Sequence, residues 1–174
     1  MTARAIAVGA GLTLAALLVF AYVFISFGLV SANADATPPA LEKWAARASL
    51  RATLAREAKG QSPLAPTEAD LMAGVRLYAV NCAACHGAAD GRPSKIARGL
   101  YQKAPQFAED GVTDDPESKI AWFVRHGVRL TGMPAFGPTF TETELWQVVA
   151  FLKRMDKLPT GPAEAWRTIP SAAK

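Results

Sequence analysis

The stretch from Ala5 to Val30, AIAVGAGLTLAALLVFAYVFISFGLV, holds no charged residue and no proline. About 20 apolar residues in a helix cross a bilayer core, so this run is long enough to span with some tilt. Arg4 precedes it, and no Lys or Arg follows until Lys43. That asymmetry puts the N-terminus in the cytoplasm and everything after Val30 outside. Ala32-Asn33-Ala34 fits the small-residue cleavage pattern of a signal peptide, whose removal leaves a chain beginning at Asp35. A signal core, however, runs only about 7–15 residues. Tyr22 and the phenylalanines of the outer half also sit where interfacial aromatics are expected. Length therefore favours a retained anchor, with residues 5–30 in contact with membrane lipid. Both readings export the remaining chain.

The exported part carries both cysteines of the protein and one of its two histidines in a single stretch, Val80-Asn81-Cys82-Ala83-Ala84-Cys85-His86-Gly87. Three chemistries compete for Cys-x-x-Cys. A redox disulfide sits at a helix start in a βαβ context and has no need of the adjacent His. A zinc site requires four ligands, and the only other strong candidate is His126. Covalent attachment of a c-type haem uses every residue: Cys82 and Cys85 for the two vinyl groups, His86 for the iron. The expected cofactor is one covalently attached haem c. Since bacterial haem attachment is completed outside the cytoplasmic membrane, the expected location is the inner membrane with the haem domain in the periplasm.

Charge excludes one function class. Glu68 to Lys157 holds eleven acidic and eleven basic residues, so the excess behind the overall +4 lies outside that segment. No basic run interleaved with aromatics appears, and nucleic-acid binding has no support.

The regular elements that the sequence announces after the apolar run are all helices. Ala40 to Lys59 is rich in strong helix formers, with Lys43, Arg47 and Arg51 on one face; it reads as a spacer helix or a docking surface. Gln61–Pro66 is a breaker-rich linker. Thr67-Glu68-Ala69-Asp70 resembles a capping box and opens a helix whose face is Leu71, Gly74, Val75 and Tyr78. A second helix starts at Asp115-Pro116, with Pro at its first position, and stops at Gly127. Thr141-Glu142-Thr143-Glu144 is a full capping box, followed by Leu145, Val148, Val149 and Leu152 at helical spacing. Gly87–Val112 reads mostly as loop, with Leu100, Tyr101, Pro105 and Phe107 as candidate pocket walls. No strong strand pattern appears, so the fold class is all-α. The chain divides into residues 1–34 (anchor), 35–66 (basic spacer helix and linker), 67–158 (helical haem domain) and 159–174 (a Pro- and Ala-rich tail).

A second iron ligand decides between an electron carrier and an open site. Of the four methionines, Met1 is terminal and Met72 and Met155 fall in helices. Met133 lies in the loop Leu130-Thr131-Gly132-Met133-Pro134-Ala135-Phe136-Gly137, where Pro134 biases it towards extended backbone. His126 competes, but beside Arg125 and Arg129 it reads as a structural residue.

Residues 67–158 resemble class I monohaem c-type cytochromes: a helix with Gly74 and Tyr78, then Cys82-x-x-Cys85-His86, the Met133 loop and an aromatic last helix. The resemblance implies a cytochrome c-like helical domain whose first helix crosses its last. Gly74 would there admit Trp146 or a neighbour. It also implies His86 and Met133 as proximal and distal iron ligands. The anchor and basic helix set the chain apart from small soluble shuttles. The expected function is single-electron transfer between redox partner proteins in or at the inner membrane, with no catalysis of its own. A haem sensor or enzyme with an open distal position is the alternative, and a dithiol assembly factor is a further one.

Overall fold

The computed structural model describes residues 2–29 and 31–170. Val30, the last residue of the apolar run, and residues 171–174 of the tail lie outside the described residues. The chain forms two compact units, residues 1–36 and 37–174.

The first unit is built on α1 (Ala3–Ser26), opened by Thr2, whose hydroxyl accepts from the Ala5 amide at 3.4 Å. None of its side chains is buried within the protein. It is long and apolar enough to cross a membrane, a property that signal sequences share.

The second unit contains α2 (Ala40–Glu57), α3 (Glu68–Asn81), α4 (Ala83–His86), α5 (Lys95–Gly99), α6 (Phe107–Asp110), α7 (Glu117–His126), α8 (Glu142–Arg154) and α9 (Thr160–Arg167). The described residues contain no strand. Both expected capping boxes form: Thr67 and Asp70 at α3, Thr141 and Glu144 at α8, each fixing where its helix begins. Pro116 is the N-cap of α7, one position before the expected site. The segment 87–112 contains the short helices α5 and α6 within its loops.

The core is the crossing of α3 with α8. Leu71, Val75 and Tyr78 on one helix, and Leu145, Val148, Val149 and Phe151 on the other, are buried. Full burial of an apolar side chain stabilises by about 1.5–3 kcal/mol, so this crossing is the main source of fold stability. Gly74 makes it possible. A Cβ there would collide with the Gln147 carbonyl and lie 2.8 Å from the Phe151 Cβ. The neighbour admitted is thus the Gln147 backbone and Phe151. Trp146 instead donates its Nε1–H to Glu142, four residues earlier on α8, at 2.8 Å.

The tail contributes to this core. On α9 and just beyond it, Pro162, Trp166 and Ile169 are buried, and the Trp166 ring stands edge-on to Tyr78 at 5.4 Å and Phe151 at 5.5 Å. Pro162, Trp166 and Ile169 are spaced i, i+4, i+7, the helical pattern that the Pro- and Ala-rich composition obscures.

Candidate functional site

Cys82 joins α3 to α4, and Cys85 and His86 are the last two residues of α4. A four-residue helix leaves most of its carbonyls without intrahelical partners, and here those of Ala84 and Cys85 are met by side chains from elsewhere. The Cys82 carbonyl accepts from the Cys85 and His86 amides at 3.0 and 2.9 Å, and that of Ala83 from Gly87 at 3.0 Å. The Ala84 carbonyl accepts from the hydroxyl of buried Ser94. Gln106 Nε2 donates to the Cys85 carbonyl at 3.0 Å, and the buried Tyr78 hydroxyl donates to that of Gly87 at 2.8 Å. The motif is therefore held rigidly from α3, α5 and the loop before α6.

His86 has its own support. Its Nδ1 lies 3.0 Å from the Pro105 carbonyl, which can only accept. The proton must therefore sit on Nδ1, leaving Nε2 with a free lone pair. Phe107 stacks on the imidazole at 4.3 Å with the planes 4° apart. Burial holds the His86 pKa below its usual value, opposed by the bond to Pro105, so the ring is neutral at pH 7. Burial, with a smaller contribution from Cys85, pushes the Cys82 thiol up to about 12. A thiol at that value is almost wholly protonated at neutral pH and a poor partner for disulfide exchange.

Cys82, Cys85, His86 and Met133 all line one cavity of about 470 Å³. Its other walls are predominantly apolar, including Leu100, Pro105, Phe107, Phe123, Val124 and Phe136. Such a volume and lining suit a flat hydrophobic cofactor. Of the expected wall residues, Leu100, Pro105 and Phe107 face the cavity. Tyr101 does not line it; its hydroxyl donates to Glu42 at 2.9 Å. His126 lies outside the lining as well, its ring 5.2 Å from that of Trp122.

Met133 is carried by a strap laced to the end of α7. The Phe136 and Gly137 amides donate to the Val124 and Arg125 carbonyls at 3.0 Å, and the Val128 amide to the Met133 carbonyl at 3.2 Å. Thr131 Oγ1 accepts from the Met133 amide at 3.1 Å. The strap runs so close to Gly127 that a Cβ there would stand 2.5 Å from the Met133 carbonyl oxygen, and Gly127 also has φ +62°.

Ser94, Gln106 and Lys153 escape sequence reasoning. Lys153 Nζ donates to the Asp115 carbonyl at 2.8 Å and to that of Thr113, pinning the segment that supplies Val112 and Asp115 to the cavity. Only Ser94 carries a local signal, as the N-cap of α5. The others act across 21 or more residues of sequence, where no periodicity points.

The described residues contain no cluster of three or more His, Cys, Asp or Glu able to hold a metal ion, so the tetrahedral zinc reading lacks its ligands. No curated protein matches the chain. Residues 69–152 match the family described as cytochrome C oxidase, cbb3-type, subunit III. That span begins in α3 and ends in α8, and so encloses the motif turn, the cavity and the Met133 strap. The family implies covalent haem c and electron transport. Residues 69–152 are a cytochrome c domain of the cbb3 oxidase subunit III type, preceded in the chain by a long apolar helix.

Proposed function

We propose that this chain is a membrane-anchored carrier of single electrons, working with respiratory or dehydrogenase partners at the outer face of a bacterial inner membrane. The observation that carries the proposal is the convergence of Cys82, Cys85, His86 and Met133 on one apolar cavity. Cys82 and Cys85 would hold haem c through thioethers, and His86 Nε2 and the Met133 sulfur would bind its iron. When bound, the haem supplies a one-electron ferric–ferrous couple. The protein's part is to exclude water with its apolar walls and to fix both ligands on a frame that changes little between redox states. The Pro105 carbonyl orients the imidazole, and a thioether ligand would favour the ferrous form. Tethering through α1 would raise the local concentration near membrane partners, which suits a subunit of an oxidase complex.

Met133→Ala tests this reading. The haem should stay attached while the reduction potential falls and the ferrous protein binds carbon monoxide without denaturant. An unchanged potential would refute Met133 as ligand. Carbon monoxide binding to the unaltered protein would favour a sensor or enzyme with an open distal position.

A further inference from the structure

Two glutamates at the two ends of α2 reach the rest of its compact unit. Glu42, in the first turn, accepts from the Tyr101 hydroxyl at 2.9 Å. Glu57, the last residue, accepts from Trp122 Nε1 at 3.1 Å. The helix between them is about 22 Å long at 1.5 Å per residue. Tyr101 sits between Leu100 and Gln102, which line the cavity, and Trp122 precedes Phe123, which does too. So α2 bridges two walls of the cavity without entering it.

Those walls are the ones that seat Met133. Leu100 rests on the strap: a Cβ on Gly132 would lie 2.5 Å from its Cδ2. The other wall is α7, whose Val124 and Arg125 carbonyls hold the Phe136 and Gly137 amides. Each glutamate contact is exposed and weak alone. Joined by a rigid helix, the second closes as an intramolecular event once the first has formed.

We propose that α2 is a clasp that fixes the spacing of these two walls and thereby positions Met133. Glu42 and Glu57 are then positioning residues for the haem site, although they lie outside the residues matched by the family. The inference rests on Met133 being the distal ligand.

The test uses the full-length, haem-loaded protein in mild detergent. Glu42→Ala with Glu57→Ala removes both acceptors, whereas Glu42→Gln with Glu57→Gln keeps an acceptor oxygen at each end. Amide hydrogen exchange at residues 132–137 and carbon monoxide uptake by the ferrous protein are the readouts. The alanine pair should raise both by about tenfold, as expected for losing two modest hydrogen bonds, and the glutamine pair should restore them to within about twofold. Exchange in α3 and α8 should not move. Unchanged exchange at 132–137, or an increase spread equally over α3 and α8, would overturn the clasp. A ferric protein without the Met-to-iron charge-transfer absorption would instead refute the ligand assignment, and the exchange measurement would still decide on the clasp.

Discussion

Gly127 ends α7 with a left-handed backbone, and the Met133 strap passes directly over it. Two requirements meet at this residue: a φ that side chains disfavour by about 1–2 kcal/mol, and a space too small for a Cβ. Gly127→Ala should therefore destabilise the protein by roughly 2–3 kcal/mol. The change should also weaken the Met-to-iron absorption, because the strap is what must move. Full retention of that absorption, read in the ferric protein, would show that the strap does not depend on Gly127. His126 is the contrasting case one residue earlier. Packed against Trp122 and outside the cavity lining, it should be replaceable by Ala with no change of spin state. Loss of low-spin character in His126→Ala would mean that His126, and not Met133, is the distal ligand. The residues that sequence could single out were those with rare chemistry in a marked place: two thiols, an adjacent imidazole, a methionine before proline. Gln106 and Lys153 have common side chains, and only the fold reveals which carbonyls they meet.

At the scale of elements, α3 and α8 were legible because their apolar spacing and capping boxes are local signals, and both formed where expected. Gly74 announced a close approach, but periodicity alone did not say which neighbour approached. Gly74→Ala should cost about 2–3 kcal/mol by forcing the two helices apart, measured by chemical unfolding of the holoprotein. A loss under 0.5 kcal/mol would mean that the crossing is slack. Helix α9 was illegible: eight residues carry too few apolar positions to register against a Pro- and Ala-rich background. Its Trp166 nonetheless packs on Tyr78 and Phe151, and Trp166→Ala should cost about 3 kcal/mol. Between α7 and α8, Arg125 donates to both carboxylate oxygens of Glu142, at 2.9 and 2.7 Å. That bond, followed by the one from Trp146, holds the Glu142 pKa below its ordinary 4.5. A depressed carboxyl contributes stability above pH 4.5 and loses it as pH falls through the lowered value. The pair is largely exposed, so its contribution is small. Acid unfolding of Glu142→Gln should accordingly show a shallower loss of stability below pH 4.5 than the parent; equal slopes would remove Glu142 from the acid response.

The whole molecule joins an apolar helix, the helix α2 and a cytochrome c domain in one chain. The family match accounts for the domain, and α1 supplies a segment able to enter a membrane. A retained anchor predicts that the protein stays in membranes washed with carbonate and keeps its N-terminal residues. A soluble periplasmic form beginning at Asp35 would show that α1 is removed as a signal. The most direct measurement is the mass of the proteolytic peptide spanning residues 77–95, taken from protein matured in a periplasm. Attachment through both thiols predicts one haem on that peptide with neither Cys82 nor Cys85 open to alkylation. A peptide of unmodified mass with two alkylatable thiols would contradict the account at its base.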